Sequence, residues 1–245
     1  MNKIILTLIF LFQSILSQSI NELISLGEEA STIKFNNQLA LQYFEKANNL
    51  EKNNYEVLWR LARTYLDIGE HSEESKQLSI YEKSLSFSEL AIKANPQGSM
   101  GYMRRAAAVG KVALFKGVWE SLDLVGKIKS DLEKSIQLDK ANPGAYYILA
   151  RTHAKLCEKP KFIRIPLGIG WANMSESISK YEKALQLRPN FIMYNLDAAK
   201  AYIEIDEYHK AKILLHKIPT LQKEDEDDEA FKNEAESILN KIKNK

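Results

Sequence analysis

Four histidines (His71, His153, His209 and His216) and one cysteine, Cys157, are the side chains best suited to nucleophilic or metal chemistry in this 245-residue chain. None stands in the pattern such chemistry needs. A zinc protease sets two histidines one helical turn apart around a glutamate, and structural zinc sites repeat Cys and His at short fixed spacings. His209 and His216 lie seven residues apart and share a helix face, but no acidic or cysteine ligand stands beside them at metal spacing. All four read as surface or groove histidines. Cys157 reads as a small core residue, and a single cysteine allows neither an intramolecular disulfide nor a C-x-x-C site. Gly110, Gly117 and Gly126 are too far apart to cradle a phosphate and are expected to mark tight helix packing or helix ends. The acidic run Glu224–Glu229 lacks the glycine and spacing of a calcium loop. It reads as a solvated linker running into a helix N-terminus, where carboxylates are electrostatically favoured. With no Walker loop and no G-x-S-x-G elbow, the chain is expected to be no enzyme and to need no metal or cofactor.

The elements that position these residues follow from periodicity. A 45% apolar and 27% charged composition is ordinary for a globular protein, and a net charge of +2 points away from a nucleic-acid partner. Ala, Leu, Lys and Glu dominate and long strict alternation is missing, which favours an all-α fold. In Ile192–Ile218, Ala198, Ala199 and Tyr202 share a face, and Ala211, Leu215 and Ile218 repeat that spacing after a break at Asp206-Glu207. This is the small/aromatic grammar of a tetratricopeptide (TPR) hairpin of ~34 residues.

One hairpin cannot bury its own apolar face, and the chain supplies neighbours. Ile24 and Gly27 pair with Ala40, Phe44 and Ala47. Leu58, Leu61, Ala62 and Tyr65 pair with Ser84, Ser88 and Ala91. A third pair runs from the GYMRRAAAVGKVALF stretch to DLEKSIQLDKANP. Pro143, Tyr146, Leu149, Ala150 and His153 pair with Ser177, Tyr181 and Ala184. With Tyr55 as repeat position 1 the closing proline belongs at residue 86, whereas Pro96 ends the unit, which implies about ten residues inserted between the two helices. The third unit is similarly long, and the fourth carries the insert EKPKFIRIPLGIGWA. Asn173 with Glu176 forms a capping-box pattern. A last helix from about Asp228 to Ile242 caps the stack. The expected architecture is a right-handed α-solenoid of about five hairpins over residues 20–245.

In such a stack one face of each first helix lines a concave groove. Those positions hold Trp59, Arg63 and Asp67, then Met103, Ala107 and Lys111, then Tyr147, Arg151 and Lys155, and finally Leu196, Lys200 and Glu204. The pattern predicts an apolar shelf of Trp, Met, Tyr and Leu above a cationic floor, suited to a peptide with a carboxylate or to an anionic lipid head. The alternative is a merely solvated face with Trp59 packed on an insert. In the fourth insert, Phe162, Ile163, Ile165, Leu167, Ile169 and Trp171 alternate with Lys159, Lys161 and Arg164. That mixture fits a flap over a hydrophobic seam, a lid over the groove, or a foot in peripheral contact with a membrane surface.

The long units carry a resemblance. VLWRLARTYLDIGE, SEESKQLSIYEKSLSFSELAIKANP, VGKVALFKGVWESLDLVGKIKSDLEKSIQLD and AYYILARTHAKL, with the closing IPTLQKEDEDDEAFKNEAESIL, resemble the regulator of microtubule dynamics family from about Tyr55 to Leu239. ALFKG, Ala113–Gly117, is the most specific part. The resemblance implies a TPR-like helical fold. For animal members it also implies cytosolic microtubule association, organelle tethering or lipid handling, and it brings no catalytic residues.

Lys3, the apolar run Ile4–Phe12 and Ser17-Gln18-Ser19 resemble a secretory signal peptide over residues 1–19. The chain is therefore expected to be exported, and periplasmic or envelope-associated if bacterial. The leading expectation is a non-enzymatic scaffold that binds a protein or peptide partner in its groove. A lipid or hydrophobic-ligand carrier is the alternative, and a microtubule-associated protein is the reading if the chain is not exported.

Overall fold

The computed structural model describes residues 19–245, without the side chain of Val118. The proposed leader lies outside these residues, apart from Ser19. Among the described residues there are twelve α-helices and no strand. Ten form five hairpins: α1 (Ile20–Thr32) with α2 (Asn37–Leu50), α3 (Tyr55–Glu70) with α4 (Glu74–Ala94), α5 (Ser99–Lys116) with α6 (Leu122–Leu138), α7 (Pro143–Cys157) with α9 (Met174–Leu187), and α10 (Ile192–Ile203) with α11 (Tyr208–Lys217). A short helix, α8 (Lys161–Arg164), lies in the fourth insert, and α12 (Asp228–Lys241) packs on α10 and α11 to close the stack.

Local chemistry sets the helix starts. Ser19, Asn36, Asn54, Asn142 and Asn173 each accept a hydrogen bond from the backbone N–H three residues on, which satisfies one orphan donor of the helix that follows. Asn173 does so without the reciprocal arm of a capping box. Its own N–H donates to Nδ1 of His153 at 3.2 Å. His153 is thus a buried structural acceptor rather than a surface or groove histidine, and burial pushes its pKa down to about 4.

The extra residues of the second and third units are not loops. They lengthen helices: α3 and α4 run 16 and 21 residues, α5 and α6 run 18 and 17, and only short turns join each pair. Two longer helices bury more surface together, whereas a loop of that size would bury little. Only the fourth unit has an irregular insert, between Cys157 and Met174.

Inside each hairpin the helices approach through small residues. Ser84 Oγ donates to the Ala62 carbonyl at 2.7 Å, Ser135 Oγ to that of Ser99 at 3.0 Å, and Ser177 Oγ to that of Ala150 at 2.9 Å. Gly27 and Gly69 serve the same closeness from the other side. A Cβ at Gly27 would lie 2.4 Å from the Phe44 ring, and one at Gly69 would lie 2.4 Å from the Tyr81 ring. Gly117 ends α5 with φ +95°, as expected of a helix-end glycine. Gly110 and Gly126 meet nothing within 4 Å, so they are not tight packing points. Gly69→Ala should therefore destabilise the chain by about 1–3 kcal/mol through overpacking. Gly126→Ala, inside α6, should stabilise it by up to about 1 kcal/mol. Urea titration of both variants checks the opposite signs.

Candidate functional site

A cavity of about 530 Å³ opens among α5, α6, α7, α9 and α10. Ala106, Ala107, Gly110, Leu114, Val125, Ile128 and Ile148 give it apolar walls, and Lys111, Arg151, Lys155, Lys200 and Glu204 line it with charge. The cations expected in one groove from the third to the fifth unit thus border one space. They do not form a bare cationic floor. Lys111 pairs with Glu70 at 2.6 Å, Lys155 with Glu158 at 2.8 Å, and Lys200 with Glu234 at 2.8 Å and Asp197 at 3.4 Å. Arg151 differs: its Nε lies 3.4 Å from Asp197, and among the described residues its guanidinium donates no side-chain hydrogen bond. Asp197 already accepts the Tyr147 hydroxyl at 2.7 Å, so it is shared. Glu70, Asp197 and Glu234 were missed as members of this site. Only Asp197, one turn before Lys200, carries a local sequence signal.

The apolar shelf is a correction. Met103 packs with Val109, Leu132 and Leu149, and Leu196 packs in the last core with Ile192 and Leu215. Tyr147 stacks on Tyr194 at 4.4 Å between ring centres. Trp59 is buried, donates to Glu56 at 3.0 Å and has the Arg60 guanidinium 4.0 Å from its ring centre. These four residues are core and none lines the cavity: the next first helix packs over Met103 and Tyr147, and the last hairpin with α12 encloses Leu196. Arg63 is likewise held by Glu28 of α1 at 3.0 Å, and its charge is spent between hairpins.

Asp67 lies beside Arg63 and Arg104 on the inner side of α3. Burial, opposed by those two guanidiniums, pushes its carboxyl up to about 7, and Asp225 and Glu70 add like-charge repulsion. Burial also pulls Arg104 down to about 10. Asp225 belongs to the acidic run, which is not a solvated linker. Glu226 accepts from Asn37 Nδ2 at 2.7 Å and lies 3.0 Å from His71 Nε2, which also faces Asp227 at 3.5 Å.

The fourth insert divides in two. Ile169 is buried with Val125, Leu156 and Ala172, and Trp171 packs against that cluster, so this half is a flap over a seam. Phe162, Ile163, Ile165 and Leu167 face outward, Phe162 at 75% exposure. No residue from 159 to 172 lines the cavity, so the insert does not lie over it as a lid. Among the described residues no helix is long and apolar enough to cross a membrane, and no group of three His, Cys, Asp or Glu could hold a metal.

With this geometry in view, the chain compares clearly with known proteins. The profile of the family Regulator of microtubule dynamics protein 1-3 matches residues 24–243. The chain belongs to this family. Regulator of microtubule dynamics protein 1 of Mus musculus is 26% identical over 211 residues, which cover 82% of this chain and 67% of that protein. Regulator of microtubule dynamics protein 2 of Mus musculus is 29% identical over 184 residues, 70% of this chain and 44% of that protein. Protein 3 of Bos taurus is 28% identical over 75% of this chain and 40% of that protein. The chain therefore spans about two thirds of the length of the first relative and less than half of the other two. Among solved structures, a thermophilic TPR protein of Thermus thermophilus aligns with a TM-score of 0.68 at 16% identity, covering 89% of this chain and 98% of that one. PilF of Pseudomonas aeruginosa aligns at 0.55 and 12%, covering 91% of each chain. Both likenesses establish the TPR-like fold.

The raised Asp67 carboxyl fixes the sign of a pH effect in this family member. The native state keeps the proton up to about pH 7, whereas the unfolded chain loses it near 3.8. Native protein thus binds more protons in that window, and stability falls as pH rises through it, then levels off. Between pH 5 and pH 8 the Asp67 contribution should be about 1–3 kcal/mol. Asp67→Asn should flatten that part of the profile in denaturant titrations at the two pH values.

Proposed function

We propose that this chain is a non-enzymatic TPR-type scaffold that holds a peptide segment of a partner protein in the cavity between the third, fourth and fifth hairpins. One observation carries the reading: an apolar-walled space of about 530 Å³ lined by Arg151, whose guanidinium lies 3.4 Å from Asp197 and donates no hydrogen bond among the described residues. A guanidinium in that state suits a planar, bidentate acceptor, such as a side-chain or C-terminal carboxylate, beside apolar side chains that fill the walls. Lys111, Lys155 and Lys200 supply the surrounding positive potential, tempered by their own acidic partners.

Export is part of the proposal. Lys3, Ile4–Phe12 and the small-x-small pattern at Ser17–Ser19 support a leader over residues 1–19 and a periplasmic or envelope location if the source is bacterial. The relatives are named as regulators of microtubule dynamics, and a tubulin-linked role is the reading to adopt if the leader is retained in the cytosol. A lipid occupant is a second reading, favoured by the apolar cavity walls and by the outward Phe162, Ile163, Ile165 and Leu167.

An array of acidic and C-terminal peptides, followed by titration calorimetry of the selected sequence, tests the scaffold. Arg151→Glu should weaken that binding by roughly 10- to 100-fold, the worth of one or two charge-assisted hydrogen bonds. Phe162→Ser should leave it unchanged. If Arg151→Glu binds as well as the parent, the cavity is not the site. A lipid mass retained in native mass spectrometry of detergent-free protein would favour the second reading.

A further inference from the structure

We propose that the acidic segment Glu224–Asp227 is a clasp that joins the last hairpin to the first two across the concave side and fixes the curvature of the solenoid. In a repeat stack each unit contacts only its neighbours. Asn37 and Glu226 break that rule, since their side chains bond at 2.7 Å across 189 residues of sequence. Asn37 opens α2 and His71 follows α3, so the segment grips two successive hairpins at once.

The segment is built to be presented rigidly. Leu221 anchors its start in the last core. The buried Asp228 carboxylate accepts from the backbone N–H groups of Glu224 at 2.7 Å and Asp225 at 2.9 Å, and Asp225 accepts from that of Asp227 at 3.1 Å. Glu224 is tied sideways to Arg188 at the end of α9. These bonds hold the turn in shape, leaving Glu226 and Asp227 as the two groups that reach the other end of the molecule.

The far contact is weak by construction. It consists of an amide hydrogen bond and His71–carboxylate contacts that are ionic only when His71 is protonated. All are partly exposed, and exposed pairs of that kind contribute little and are screened by salt. Burial works against ionised Asp225, and the like charges of Asp228, Asp227 and Glu70 add to it. A rigid arm held by a weak and partly opposed contact is suited to two states, closed and released. Release would free the first two hairpins to swing away and widen the concave face. Glu70, whose charge repels that of Asp225, also pairs with Lys111 on the cavity wall.

Double electron–electron resonance on the full chain tests this without any ligand, and so independently of the scaffold reading. Spin labels go on Gln38→Cys and Gln222→Cys, both exposed positions, in a Cys157→Ser background. The labelled parent should give one narrow distance distribution. Adding Glu226→Ala with Asp227→Ala, or His71→Ala alone from the other side of the contact, should shift the distribution to longer distances and broaden it. Sodium chloride at 1 M, at a pH low enough to protonate His71, should do the same to the labelled parent, which requires no destabilising variant. Distributions that stay narrow and unmoved in all three arms would overturn the clasp.

Discussion

Close approach between paired helices is the constraint on which the rest of this structure depends. Three hairpins bring a serine of the second helix against a carbonyl of the first, at Ser84–Ala62, Ser135–Ser99 and Ser177–Ala150. Each bond is worth only about 1 kcal/mol net. Its structural effect is larger, because a small polar residue at the contact both permits the short interaxial distance and satisfies its own hydroxyl in the core. Hairpins that close this tightly expose a narrow edge to their neighbours. Tyrosines then bridge that edge in at least two places, Tyr65 to Glu45 and Tyr202 to Glu182. Hairpin spacing, and hence the width of the cavity between the third and fifth units, is set by these contacts.

That grammar is why most of the fold was legible in the sequence. Ser84, Ser88, Ser177, Ala62 and Ala150 stand at repeat positions where larger residues cannot fit, and period and residue size together located all five second helices. The ten-residue excess in the second unit was legible as a length and misleading as a shape. A repeat template treats any excess as insertion, but α3 and α4 are continuous and amphipathic enough to absorb it. The cavity's cations were legible because Lys111, Arg151, Lys155 and Lys200 recur on one helical face. Their partners Glu70 and Glu234 were not, since they come from other helices and no local spacing announces them. Exposure at the next level up was also misread. A groove position in an isolated hairpin becomes a core position once the neighbouring first helix lies against it, as for Met103 and Tyr147, or once the closing helix does, as for Leu196.

Electrostatics divides the concave side into two regions. Towards the first hairpins the charges neutralise one another across helices, where Arg60 and Arg63 share Glu28. Such groups are committed to holding hairpins together, and reversing one leaves another buried and unpaired. Towards the third to fifth hairpins the pairs are more exposed, and the Arg151 guanidinium donates no side-chain hydrogen bond among the described residues. A surface with its spare donor at one end and its charges spent at the other offers an incoming acidic group only one strong anchor.

The fourth insert follows the opposite logic to an ordinary surface loop. Its arginine is turned inward: Arg164 is 5% exposed and donates to the carbonyls of Lys159 and Ala172, so one guanidinium ties the beginning of the insert to its end. With the ends tied from within, Pro160 and Pro166 hold helix short and Ile169 pins the far half to Val125 and Leu156. The residues between are then forced outward, and four of them are large and apolar. A loop selected only for solubility would place the arginine outside and the isoleucines inside, at lower free-energy cost. The inverted arrangement holds those four side chains on a rigid base beside the seam that closes the third and fourth hairpins. In this fold the insert is therefore a presented surface and a structural tie at once, and the two roles reside in different residues of the same short segment.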